Sequence, residues 1–288
     1  MIPAIIIRTL TTGGVYALLA AGMSLMFGVA HIVNLAHTAF YVVAAYGLWY
    51  FGQKLGLGPI ASIAITVPAV TILGLLSYRF LLNRVRQHPQ AILLITIALA
   101  IVFQEILLVR FSSDLHILPP LIAGGTTISG VLVTYQQLLI LGIVVVIMVT
   151  LWLFLSKTKM GTAIRATAND AEVASLMGIS VPRTLLITMG IGTLLAAVAA
   201  TTTTKTFFPF AWTSPLTMVL AIVVLGGLGS LKGSIIGAFI LALVETLVVF
   251  LLPQQNYMKL AFALLAMVIV LSVRPGGLFG IVFEEERL

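Results

Sequence analysis

The chain has 288 residues, of which 61% are hydrophobic and only 8% charged, with a mean hydropathy of +1.21; since a soluble domain carries roughly 25% charged residues, a water-soluble fold around one core is excluded. The absence of cysteine excludes a disulfide framework, a thiolate metal site and a cysteine nucleophile. The excess of basic residues, 15 Lys and Arg against 8 Asp and Glu, would suggest nucleic acid in a soluble protein, but in a chain this apolar it reports membrane orientation.

Charges, prolines and polar clusters divide the sequence into apolar segments: Ile7 to Phe27, Ala36 to Phe51, Pro59 to Tyr78, Ala91 to Val109, Gln136 to Leu155, Thr184 to Thr204, Pro215 to Leu228, Ser234 to Leu252 and Lys259 to Val273. A bilayer core takes about 20 residues per helix, and continuous apolar runs without strict alternation favour helices over a barrel. These segments predict an all-α, polytopic membrane helical bundle of about eight to nine transmembrane segments, one domain over residues 1–288. The first, with Arg8 as its only early charge and no small-residue cleavage site, reads as a retained span and not a signal peptide. The second is short and follows the polar residues His31, Asn34 and His37; the seventh is too short to cross and reads as a half-helix or re-entrant segment. Such interrupted segments often line a transport path. The connection from Phe111 to Tyr135, with Pro119, Pro120, Gly124 and Gly125, predicts an external loop with a turn and a small hairpin.

Loop charge orients the bundle. Arg79, Arg84, Arg86, Lys157, Lys159, Arg165, Arg183, Lys232, Arg274 and Arg287 fall on one side, against Arg8, Lys54, Arg110, Lys205 and Lys259 on the other. The bias predicts an outside N-terminus and a cytoplasmic C-terminus.

The loop over about residues 156–183 is polar and Ala-rich between two apolar segments. Asp170, Ala171, Glu172 and Ala174 predict a helix start, acidic residues in the first turn suiting the dipole; Gly178 is its stop, and Pro182 follows. Such a surface helix either links two spans or seats in a partner that moves it.

This loop resembles the coupling-loop signature of ABC importer permeases, in Glu172, Val173, Ala174, Gly178 and Pro182. The stretch from Gly14 to Phe40, the stretch from Val224 to Glu245, and Arg274, Pro275, Gly277, Leu278, Phe279 and Gly280 resemble the branched-chain amino acid permease family (the LivH type) in the family's order. The sequence departs from that pattern at Thr38, where the family usually has Gly, and at Lys232 and Gly233, where it usually has Pro-Gly. The resemblance implies a permease subunit of an importer in the bacterial inner membrane, translocating branched-chain or related amino acids; urea and short amides fall within the same family pattern. It implies a second, similar or identical permease, a pair of cytoplasmic ATPases and a periplasmic substrate-binding protein as partners. It places Asp170, Glu172, Ala174, Ser175, Gly178 and Pro182 at the ATPase contact. No cofactor is expected in this chain, ATP and Mg being bound by the ATPases, and in agreement the sequence has no Gly-Lys-Ser/Thr phosphate loop.

Candidates for the translocation path are His37, Asn34, Thr201 and Thr202, polar residues at interruptions of apolar runs. His31, Asn34 and His37 fall at the inner end of the first span and are too few for a metal site. Glu105 and Glu245 lie inside apolar segments, where a carboxylate needs a partner or a function: a polar contact between helices, or the proton relay of a secondary carrier working alone. Recurrent small residues such as Gly13, Ala17, Ala21, Gly233 and Gly237 suit close helix packing. Phe207, Phe208 and Trp212 suit an outer interfacial belt. No loop holds a triad, a catalytic carboxylate pair or a base-reading basic stripe, so neither an enzyme nor a nucleic-acid binder is expected.

Overall fold

A computed structural model describes residues 2–86, 88–128, 131–202 and 206–279. The chain runs through α1 (Ile2–Ala30), α2 (His37–Trp49), α3 (Pro59–Ser77), α4 (Asn83–Val85), α5 (Pro89–Phe111), β1 (His116–Ile117), β2 (Gly125–Ile128), β3 (Val131–Thr134) and α6 (Tyr135–Lys157). It continues through α7 (Lys159–Asn169), α8 (Ala171–Leu176), α9 (Val181–Thr201), β4 (Thr206–Phe207), α10 (Thr213–Gly226), α11 (Leu231–Leu251) and α12 (Lys259–Val273). Among the described residues, every apolar segment read from the sequence contains a helix. The loop after α5 holds the expected hairpin, β2 pairing with β3 antiparallel, and β1 pairs with β4.

Among the described residues, six helical stretches are long and apolar enough to cross a membrane: Ile2–Ala30, Pro59–Val85, Gln90–Phe111, Tyr135–Lys157, Val181–Thr201 and Leu231–Leu251. The helices α10 and α12 are apolar but shorter. The helix α2 runs on without a break into a π-helical turn, Tyr50–Lys54, and is not among the stretches long and apolar enough to cross.

At the centre stands α1, where every residue from Ala17 to Met26 is buried. Its packing against α11, α9 and α6 depends on small residues: a Cβ on Gly13 would meet Phe239 and Ala242, one on Gly14 would meet Val144, and one on Gly22 would meet His37 and the Gly192 carbonyl. By contrast α6 turns Val145, Val146, Val149 and Trp152 outward, and α5 does the same with Val102, Ile106 and Val109. Only a bilayer or another apolar surface can cover such a ring.

After α1 the chain folds back on itself. The His37 ring bonds the Leu19 carbonyl through Nε2 at 2.9 Å, eleven residues and so about 16 Å back along α1 from Ala30. Consequently α2 starts level with the middle of α1, and His37 is not at its inner end as the sequence suggests. Asn34 holds the turn: its Oδ1 accepts from the Ala36 N–H at 3.1 Å and its backbone carbonyl from the His37 N–H at 3.1 Å. A second fold-back precedes α10, and the two meet where the Thr38 hydroxyl donates to the Trp212 carbonyl at 3.0 Å. Two half-helices thus begin at one level inside the bundle and run from it toward opposite ends.

One end gathers Tyr46, Phe111, His116 and Phe207, with Tyr46 stacked on Phe111 at 5.1 Å and edge-on to Phe207 at 4.8 Å. Phe207 and Trp212 are buried, so they form core where the sequence suggests an interfacial belt; the Trp212 indole N–H donates to Gln104 Oε1 at 2.8 Å. At the opposite end the residues after α12 seal the end of α10, the Leu278 and Phe279 N–H groups donating to the carbonyls of Leu225 and Gly226 at 2.8 and 3.1 Å. A Cβ on Gly277, whose φ is +79°, would strike Gly227. This explains the position of the closing segment noted in the sequence; its Gly280 lies outside the described residues, as do Lys205 and Arg287 of the loop charges.

Candidate functional site

Two features stand out, one at each end. At the end where α10 is sealed, the single surface helix expected from the loop is in fact two. Thr158 caps α7, its hydroxyl accepting from the Gly161 N–H at 2.9 Å; Gly161 is required because a Cβ there would overlap the carbonyls of Phe154 and Leu155. The face of α7 carrying Gly161, Ile164 and Thr167 is buried against α1 and α9. Asp170 then breaks the chain between α7 and α8, its Oδ1 accepting from the N–H groups of Glu172 and Val173 at 2.8 and 2.9 Å. The helix start expected from the sequence is here, with Asp170 as the N-cap just before the first turn and not within it. Ser175 donates back to the Glu172 carbonyl at 2.9 Å, Gly178 ends the turn at φ +81°, and Pro182 lies in the first turn of α9.

Of α8 only Ala174 is buried; Glu172 and Ser175 are exposed. So are Val173, Leu176 and Met177, the last two at 81% and 79%. Three apolar side chains beside a capped acidic turn, on a helix fixed to the bundle by one alanine, form a knob.

At the other end lies a cavity of about 660 Å³. Arg8, Thr12, Tyr16 and Leu19 line it from α1, at spacings of three and four that put them on one helix face. Tyr41, Met218, Glu245 and Lys259 add α2, α10, α11 and α12. Thr213 and Ser214, in the first turn of α10, also line it, and no side chain caps that turn. Glu245 is the electrostatic centre: its Oε1 pairs with Lys259 Nζ at 2.9 Å and its Oε2 accepts from the Tyr16 hydroxyl at 2.7 Å. The Arg8 guanidinium stands 6.0 Å from the Phe250 ring centroid.

The translocation candidates from the sequence are not brought together here. Thr202 lines this cavity, Thr201 a separate one of about 90 Å³, and both hydroxyls also bond carbonyls of their own helix. His37 and Asn34 are buried at the fold-back without lining either cavity. Thr203 and Thr204, in the same run, lie outside the described residues. Glu105 is not in the cavity: it is exposed on α5 and accepts from its neighbour Gln104 at 3.0 Å, so the contact between elements is made by Gln104 to Trp212 and not by the carboxylate. Tyr16 and Lys259 were not legible as site residues, although a carboxylate inside an apolar helix signals that a partner must exist. Among the described residues no group of acidic and histidine side chains could hold a metal ion.

An apolar helix bundle with two broken helices meeting at mid-depth, a knob at one end and a charged cavity at the other belongs to the class of multi-pass membrane transport proteins. The chain belongs to the family described as branched-chain amino acid transport system / permease component, whose model matches residues 5–271. It is 28% identical to the high-affinity branched-chain amino acid transport system permease protein BraD of Pseudomonas aeruginosa, over 96% of this chain and 94% of that one. It is 30% identical to the corresponding LivH proteins of Salmonella typhimurium and Escherichia coli K12, over 94% of this chain and 92% of each relative. In fold it is similar to a solved structure, PsaBC from Streptococcus pneumoniae in complex with Fab, with a TM-score of 0.52 over 95% of each chain at 16% identity.

Proposed function

We propose that this chain is the membrane-spanning permease subunit of an ABC importer in the bacterial inner membrane, passing branched-chain or related amino acids inward while partner ATPases supply the energy. The observation that carries the reading is family membership across nearly the whole chain, joined to a knob whose exposed Val173, Leu176 and Met177 fit a groove in another protein better than water. The knob end is cytoplasmic and the cavity end external, as the side of the bundle bearing Lys157, Lys159, Arg165, Arg183, Lys232 and Arg274 is the more basic. In this orientation the N-terminus is outside and the C-terminus inside, and a periplasmic binding protein delivers substrate to the cavity end. A second permease subunit covers part of the apolar ring.

Motion enters through α7 and α8. A partner that holds the knob and moves pulls on α7, which packs on both α1 and α9, the two helices that form the centre of the bundle. The test is an affinity pull-down of the tagged chain from native membranes. ATPase subunits and a second permease co-purify with the wild type, and Glu172→Arg releases the ATPases while the folded chain is retained. Recovery of the folded wild-type chain alone contradicts the proposal.

A further inference from the structure

We propose that the Glu245–Lys259 pair, with the Tyr16 hydroxyl, is a transient binding site for the zwitterionic head of a neutral α-amino acid on its way through the permease; the amino-acid class rests on the function proposed above.

The cavity has the size of a ligand site, about 660 Å³ in a range of roughly 300–1,000 Å³ for small-molecule pockets. Its wall is mostly apolar, with Val15, Leu19, Ile140, Phe207, Met218 and Leu260 among its side chains. Into this wall the chain sets one carboxylate and one ammonium 2.9 Å apart. Glu245 is 4% exposed, and a carboxylate so placed is costly unless paired. Packing α11 against α12 needs no charges: two leucines would join the helices without desolvation cost.

An α-amino acid carries the same two charges in reverse, about as close together. Inserted into the pair, its ammonium takes Glu245 Oε1 and its carboxylate takes Lys259 Nζ, so one ion pair is exchanged for two and no charge is left alone. The partners are unequal in freedom. Glu245 is held by Tyr16 at 2.7 Å with its side chain 6% exposed, whereas the Lys259 side chain is 40% exposed and starts a helix, so it is the partner that yields. Arg8, two turns of α1 from Tyr16 on the same lining face, forms no ion pair among the described residues and presents a cation that attracts a carboxylate. The apolar wall receives the side chain. A solute with a single charge, or none, leaves one member of the pair unmatched.

The natural absence of cysteine gives a direct test in the complete co-purified assembly. Thr12→Cys puts one thiol into this chain at the cavity wall, and its labelling rate by N-ethylmaleimide is read from the mass of this chain. L-Leucine slows labelling by about fivefold, the retardation of a site about four-fifths occupied, whereas 4-methylpentanoate, which lacks the ammonium, does not. Adding Glu245→Gln, which keeps an acceptor for Tyr16, abolishes the protection. The proposal is overturned if leucine leaves the rate unchanged at every concentration, or if it protects equally after Glu245→Gln. ATP-driven leucine uptake by the same preparation separates the two readings: ATP-driven uptake without protection overturns this site and leaves the importer standing, whereas protection together with uptake that does not depend on ATP supports the site and overturns the importer.

Discussion

Glu245 carries a charge into the apolar interior of α11, and Lys259 and Tyr16, which bind it, come from opposite parts of the chain, Tyr16 being 229 residues away. Removing one side of such a pair is not equivalent to removing the other. Lys259→Met leaves a buried carboxylate without the ammonium that pairs with it, whereas Glu245→Gln leaves a half-exposed ammonium that water can solvate. The first substitution therefore destabilises more, by about 1–3 kcal/mol, below the 3–5 of a fully buried broken pair because Lys259 is partly solvated; thermal unfolding of the two purified variants in one detergent gives the order. The glycines obey the same local logic. A Cβ on Gly233 would overlap the Gly226 carbonyl, so Gly233→Ala forces the α10–α11 turn apart and costs about 1–3 kcal/mol. Gly142, on the outward side of α6, has nothing within 4 Å, and Gly142→Ala is neutral or slightly stabilising, by up to about 1 kcal/mol, in the same assay. The sequence signalled Glu245 because a carboxylate in an apolar run needs a partner; it could not name Tyr16 or Lys259, since a contact across that separation depends on how three helices pack.

Helix α8 is short enough that its cap decides its shape. With six residues it is far below the length at which a helix holds itself in water, and Asp170 satisfies two of its first N–H groups. Asp170→Ala removes about 1 kcal/mol of capping, enough to fray the knob while the bundle, in which Ala174 is the one residue of α8 that is buried, keeps its melting temperature. ATPase stimulation by substrate should fall with stability unchanged; a parallel loss of both would show that the knob belongs to the core. The elements were legible to different depths. All the apolar helices and the Asp170 start could be read from hydropathy and caps. The fold-back of residues 31–36 could not, because it rests on His37 bonding Leu19 and on Gly22 leaving room for the ring. For the same reason α7 went unseen: its buried face is made by Gly161, Ile164 and Thr167, only one of which is strongly apolar.

Across the whole molecule the two ends are connected through α1. Its N-terminal half lines the cavity with Arg8, Thr12 and Tyr16, and the same helix packs against α7 and α9, so one continuous helix joins the knob end to the cavity wall. The broken helices α2 and α10 begin beside that helix, and discontinuous helices of this kind let a path open without unfolding a span. The account therefore requires that work be delivered from outside the chain. The measurement that tests this most directly is leucine uptake by proteoliposomes containing either the co-purified assembly or this chain alone, each with and without ATP and with and without an imposed proton gradient. Uptake that needs the assembly and internal or external ATP on the knob side, and that ignores the proton gradient, is the predicted result; uptake by the isolated chain driven by the proton gradient would contradict it.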